Sequence, residues 1–240
     1  MNNSNFIGYF DHSLLAQQFS AGHLPRHDVY EVCGETVIRI KDLLLPAEID
    51  AIIADSQGRN QIPVGLDGYY KTYKPGDFIC SRRSTFYDQN LADLMFSRMH
   101  HMMDARINPY EPGAQVYHPA GVNAAMRLIE YTTSGFLVPH YDLPYRASDV
   151  ETTLYSMVVY LQAGDSDAGT RFIKEYRSDD LSDWDRAAND SEVLLDCRMK
   201  PGEALIFPHG LLHEGLRTES SKMIMRTDVV YNSENEHAKH

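Results

Sequence analysis

The sequence predicts a mainly β domain, a sandwich or jelly roll whose outer face is covered by a few helices. Three observations predict it. From about residue 122 to 231 the chain is a succession of short apolar segments with turn signals between them: NAAMRLIEY, FLVPHYD, TLYSMVVYLQ, GTRFI, EVLLDCRM, EALIF and KMIMRTDVVY. No helical period interrupts that series, and many short strands without intervening helices read as a sandwich or jelly roll. Hydrophobic residues make up 43% and charged residues 23% of 240 residues, enough apolar material for one sizeable core.

The elements follow in order. Residues 11–20, DHSLLAQQFS, predict a short helix, and residues 28–40 carry β-rich segments around Val29-Tyr30 and Val37–Ile40. Pro46 suits the first turn of a helix running to about Ser56. The stretch 57–80, rich in Gly, Tyr and Pro, reads as a long loop whose Tyr69, Tyr70 and Tyr73 suit a lid. Over 90–107, Leu91, Leu94, Met95, Met99, Met102 and Met103 recur at three- and four-residue spacing, an apolar helix face that reads as core. His100 and His101 point around the side of that helix and read as solvated. The polar insert 174–191 reads as an exposed loop. With neither repeats nor a low-complexity linker, residues 1–240 are expected to form one domain. In it, 1–120 are a helical lead-in with some strands, 121–232 the β-core and 233–240 a polar tail.

Charge and cysteines narrow the partners. The formal net charge is −12, and an anionic chain repels phosphate backbones unless it carries a basic patch. Arg82-Arg83 is too small a cluster, so nucleic acid is not expected as a partner. The longest apolar run, Met157–Leu161, is far short of a membrane span. The N-terminus has no basic region followed by an apolar segment, so neither a secretory signal nor a membrane partner is expected. Cys33, Cys80 and Cys197 are odd in number and widely spaced, as free thiols in a reducing compartment would be; a cytoplasmic location is the expectation.

The chemistry gathers around His140-Tyr141-Asp142. Alternate residues of a strand share a face, so the imidazole and the carboxylate both point into one cavity. They are two-thirds of a 2-His-1-carboxylate facial triad, which holds Fe(II) and leaves adjacent coordination positions open. A His-x-Asp motif alone is weak, and a third ligand is needed on a neighbouring strand. His213 is preferred; His209, between Pro208 and Gly210 in a predicted bend, competes. A cationic anchor is the next requirement. Arg226, 13 residues past His213, stands inside the apolar strand KMIMRTDVVY, where a lone guanidinium needs a counter-charge. Arginine matches a carboxylate with two parallel hydrogen bonds. Asp228 is the alternative partner, and both pairings can hold together.

Four pieces in this order, MRLIEYTTSGFLVPHYD, TLYSMVVYLQAGDSDAGTRFI, KPGEALIFPHGLLHEG and KMIMRTDVVY, resemble the catalytic core of Fe(II)/2-oxoglutarate-dependent oxygenases. They are most similar to the prolyl-4-hydroxylase-like branch, and the resemblance spans nearly the whole C-terminal half. It implies a double-stranded β-helix (jelly-roll, cupin-like) core, with iron on His140, Asp142 and His213. It assigns the 2-oxoglutarate-binding roles to Arg226 and Tyr131. Ser134-Gly135 departs from the branch's Tyr-x-x-Gly, and Ala168-Gly169 from its Gly-Gly. The prolyl hydroxylases themselves often carry a Lys anchor nearer the last histidine. Asp142 argues against the halogenating relatives, which lack a carboxylate there. The implied reaction consumes 2-oxoglutarate and O2, releases succinate and CO2, and hydroxylates an unactivated C–H bond.

For the substrate, strand alternation puts Arg127 on the face of Tyr131, suited to a carboxylate or phosphate, or else to an outer salt bridge. Arg82 and Arg83, ahead of a predicted helix, are candidates for the cavity mouth. A small polar metabolite such as an amino acid or peptide-like compound is the expected substrate. The alternatives are a protein or peptide prolyl hydroxylase and a non-catalytic cupin-like binding protein.

Overall fold

A computed structural model describes residues 7–9, 23–65, 79–109, 115–164, 168–175, 186–220 and 222–233. The strands, in chain order, are β1 (Ile7–Tyr9), β2 (Arg26–Val32), β3 (Glu35–Lys41), β4 (Ile62–Val64), β5 (Ser81–Tyr87), β6 (Arg106–Ile107), β7 (Val116–Val122), β8 (Ala125–Tyr131), β9 (Leu137–His140), β10 (Glu151–Ala163), β11 (Gly169–Ile173), β12 (Val193–Arg198), β13 (Ala204–Pro208), β14 (His213–Gly215) and β15 (Lys222–Ser233). Among the described residues, two α-helices precede the last ten strands: α1 (Pro46–Ser56) and α2 (Gln89–Met99). The expected helix at 11–20, the tyrosines of the expected lid, the middle of the 174–191 insert and residues 234–240 of the tail lie outside the described residues.

The last eight strands divide four and four. β8, β15, β10 and β13 lie side by side in a large sheet, and β12, β11, β14 and β9 form a small one. Every pairing among them is antiparallel. The chain changes sheet at each step except between β11 and β12, and the first and last strands end as neighbours. This is the winding of a double-stranded β-helix, the jelly roll. The N-terminal half lengthens the large sheet at both ends, with β3 and β2 beyond β13 and β5 beyond β8. β15 is long enough to pair with β8 over its first half and with β7 over its second.

Strand parity builds two cores. On β10, Met157, Val159 and Leu161 face the helices, where they meet Ile49 and Ile52 of α1 and Leu91, Met95 and Met99 of α2. Val158 and Tyr160 face the small sheet and join Ile129, Tyr131, Phe172, Phe207 and Ile224. Both faces of β10 are therefore covered, which explains its nearly continuous burial and the apolar run in its sequence. The helices are tied to each other by a buried ion pair. Arg98 Nη2 lies 2.7 Å from Glu48 Oε1, and Nη1 donates to Glu48 Oε2 and to the Leu43 carbonyl, both at 2.7 Å.

Three local expectations change. The 90–107 periodicity ends as helix at Met99 and continues as a 3₁₀ turn, His100–Met102. Residues 106–107 are instead taken up by sheet pairing with β7, and Arg106 pairs with Glu35 at 3.2 Å. Arg82 and Arg83 do precede α2, but within the strand β5, paired to β8, so their side chains fall on opposite faces of the sheet. Part of the expected 57–80 loop forms β4 against the same strand.

Candidate metal centre

β9 and β14 set the two imidazoles side by side, tilted by 51°. His213 is the direct register partner of His140, and the ring centroids are 4.3 Å apart. Each ring is fixed through its Nδ1, His140 to the Val138 carbonyl at 2.8 Å and His213 to the Leu211 carbonyl at 2.9 Å. A carbonyl only accepts, so both Nδ1 atoms carry the proton and both Nε2 atoms present a lone pair. Phe207, 4.6 Å from His213 between centroids, buttresses the ring. Burial, with His140 as the next contributor, pushes His213 down to about 3, which keeps it a neutral donor at neutral pH.

Asp142 lies two residues past His140, beyond the end of β9, so the expected strand alternation does not set its position. Its backbone N–H donates to the His209 carbonyl at 3.2 Å, which holds the loop against the end of β13. Asp142 Oδ2 stands 3.6 Å from His213 Nε2 and accepts from the Ser156 hydroxyl; Oδ1 lies 3.1 Å from Arg226 Nη2. Burial alone would raise this carboxyl. The Arg226 guanidinium, then the two imidazoles and the Ser156 hydrogen bond, together outweigh it and hold the group ionised, well below the usual carboxylate range. Donor atoms of His140, Asp142 and His213 all lie within 4.8 Å of one another.

His209, the competing candidate, is fully buried behind Asp142. Its Nδ1 is 2.8 Å from Ser156 Oγ and its Nε2 3.2 Å from Thr153 Oγ1. The Ser156 proton goes to Asp142, so His209 Nδ1–H donates to Ser156 and Nε2 accepts from Thr153. Both ring nitrogens are used, and His209 supports the carboxylate from behind.

The three donors line a cavity of about 310 Å³ together with Arg83, Arg127, Tyr131, Tyr160, Thr170, Lys222 and Arg226. Parity explains this gathering. Lys222, Ile224, Arg226 and Asp228 share the inner face of β15, while Arg127, Ile129 and Tyr131 share that of β8. Arg226 Nη2 is bound between two carboxylates, Asp228 at 3.0 Å, the partner expected from the sequence, and Asp142 at 3.1 Å, which was not foreseen. Arg82 points the other way. It is exposed, opposite Glu130 in the register, and outside the cavity.

Sequence reasoning missed Lys222, Tyr160 and Thr170. Lys222 is fully buried at the start of β15, with Nζ donating to the Leu216 carbonyl at 2.6 Å and lying 3.9 Å from the centre of the Tyr131 ring. The Tyr160 and Thr170 hydroxyls are hydrogen-bonded at 2.8 Å on the same wall. The signal for Lys222 was present, since it shares the parity of Arg226 and lies nearer the last histidine.

No protein-family model matches the chain, and no curated protein matches it. Among solved structures, it is similar to a viral collagen prolyl hydroxylase from Paramecium Bursaria Chlorella virus-1 in its 2-oxoglutarate complex, at 16% identity over 82% of this chain and 96% of that one, TM-score 0.45. HygX from Streptomyces hygroscopicus, with nickel and 2-oxoglutarate bound, is similar at 13% identity over 82% of each chain, TM-score 0.47. A Pseudomonas putida prolyl-4-hydroxylase is similar at 13% identity over 92% of this chain and 98% of that one, TM-score 0.42.

Proposed function

We propose that the chain is an Fe(II)- and 2-oxoglutarate-dependent dioxygenase that hydroxylates an unactivated C–H bond of a small polar metabolite, of amino-acid or peptide-like kind. One observation carries the reading: two Nε2 lone pairs and one ionised carboxylate converge within 4.8 Å at the wall of a cavity inside a jelly roll. A 2-His-1-carboxylate set with open positions suits non-haem Fe(II). When bound, iron and 2-oxoglutarate supply the activation of O2, coupled to decarboxylation to succinate and CO2.

The chain's own residues hold and orient. His140 and His213 donate through Nε2 because their Nδ1 protons are committed to carbonyls. Arg226 keeps Asp142 ionised and aimed. Lys222, which lines the cavity with Thr170 and Tyr160, takes the distal carboxylate of 2-oxoglutarate, and Tyr131 flanks it. This moves the principal anchor from Arg226, which already serves two carboxylates, to Lys222. The apolar side chains of Ile129, Leu137, Val158 and Ile224 exclude water from the rest of the cavity.

Anaerobic titration with Fe(II) and 2-oxoglutarate tests the reading. The loaded protein should develop the weak visible charge-transfer band of the chelate, and Asp142→Ala should lose both the band and iron-dependent succinate release while remaining folded. A non-catalytic cupin-like binder would give no band, and unimpaired succinate release by Asp142→Ala would refute the ligand set. Succinate release with free amino acids against proline-containing peptides separates the metabolite reading from a peptide prolyl hydroxylase.

A further inference from the structure

Arg127 stands out on the cavity wall. It is half-buried on the inner face of β8, directly opposite Arg226 in the β8–β15 register, and Arg83 lines the same cavity from β5. Its guanidinium makes no hydrogen bond or ion pair with any described residue. Burial, then the Arg226 and Arg83 charges, disfavour its charged form; Asp228 and Asp142 favour it, but both are already in contact with Arg226. Like charges directly opposite in a sheet destabilise it, and a partly desolvated charge without a partner is costly. Among the described residues, none offsets the resulting penalty at Arg127 with a hydrogen bond or ion pair of its own.

The charges of the loaded site point to what does. Iron and Lys222 are matched by Asp142 and the two carboxylates of 2-oxoglutarate, and Arg226 is matched by Asp228. Arg83, the other cation of the lining, has an interaction of its own, and Arg127 is left without a hydrogen-bond or ion-pair partner among the described residues. We propose, building on the oxygenase reading, that the substrate is a small anion whose oxyanion group, a carboxylate, phosphate or sulfonate, docks on Arg127. A planar guanidinium donates two parallel hydrogen bonds to such a group. Docking there would hold the rest of the molecule in the apolar part of the cavity, beside the metal ligands. Arg127 is thus a specificity-determining residue, and the anion recovers in binding what the empty site loses in stability.

Equilibrium dialysis of the anaerobic, Fe(II)- and 2-oxoglutarate-loaded protein tests this with matched pairs: amino acids and their amides, phosphate monoesters and parent alcohols, sulfonates and sulfonamides. The expected result is retention of one or more anions over their neutralised counterparts, and the class retained identifies the oxyanion. Arg127→Gln should weaken that retention on the order of ten- to a hundredfold, the usual worth of a hydrogen-bonded charge. Arg127→Lys should recover part of it, and Arg82→Gln, on the outer face, should change nothing. Iron stoichiometry and 2-oxoglutarate affinity should be unaltered in Arg127→Gln, and its unliganded melting temperature should rise, because an uncompensated charge has been removed. An arginine with a purely structural role would instead lower it. Equal retention of both members of every pair, retention of none, or an Arg127→Gln protein that binds the anion as the wild type does would each overturn the inference. Absence of the charge-transfer band sinks the oxygenase reading alone; the same dialysis on unloaded wild type and Arg127→Gln then still reads the Arg127 inference by itself.

Discussion

Lys222 and Arg226 are both buried cations on the inner face of β15, four residues and roughly 13 Å apart at strand rise, yet their surroundings divide their work. Arg226 lies between Asp142 and Asp228, so its removal leaves two buried carboxylates without their partner. Lys222 contacts a carbonyl and an aromatic face and lines the cavity together with Tyr160 and Thr170. Arg226→Ala should therefore act on the metal. Truncating one partner of a buried pair costs roughly 3–5 kcal/mol, read here as weaker iron binding and a lower melting temperature. Lys222→Ala should leave iron stoichiometry intact and weaken 2-oxoglutarate binding by about a hundredfold, if its charge-assisted hydrogen bond is of the strong kind. Anaerobic titration of each variant, first with Fe(II) and then with 2-oxoglutarate, separates the two. The reverse pattern would return the anchor to Arg226.

At the scale of elements, the small sheet depends on the close approach of its strands. Gly169 opens β11 between β12 and β14, and a methyl group there would collide with the Cys197 carbonyl oxygen and the Leu216 side chain. Gly169→Ala should cost about 1–3 kcal/mol, the usual range for overpacking, read as a lower urea midpoint. Because β14 carries His213, iron affinity should fall with it; an unchanged midpoint would mean the two strands separate freely. Strands of this core were legible where burial repeats along the chain: GTRFI is β11 residue for residue, and Pro46 to Ser56 is α1. β14 was not legible, since three residues give no period and the strand exists only by pairing with β9 and β11. β5 was hidden as well. SRRSTFY mixes two arginines into a strand whose alternation makes sense only once Arg83 has a cavity to face and Arg82 has solvent. At the candidate site, the convergence of His140, Asp142 and His213 was readable from chemistry and order. Lys222 was obscured by Arg226, which satisfies the same sequence criterion of a cation in an apolar strand.

Over the whole molecule, the site and the helix layer occupy opposite faces of the large sheet. The donors His140 and His213 come from the small sheet, Lys222, Arg226 and Arg127 from the large one, and Asp142 from the loop that follows β9. An ion with 2-oxoglutarate would thus join the two sheets, while the Glu48–Arg98 pair joins only α1 and α2 on the far side. Ligand at about a hundred times its dissociation constant stabilises the state it binds by about 2.7 kcal/mol. For a domain of this size that corresponds to roughly 5–10 °C in melting temperature. Anaerobic loading with Fe(II) and 2-oxoglutarate should raise the melting temperature by that amount in the wild type and by none in Asp142→Ala. Arg98→Ala should lower the starting value sharply, because it strands a buried Glu48, and yet show the same increment on loading, since well-separated sites act additively. A loading increment that vanished with Arg98→Ala would mean that the helix layer, and not the pairing of the two sheets alone, shapes the cavity.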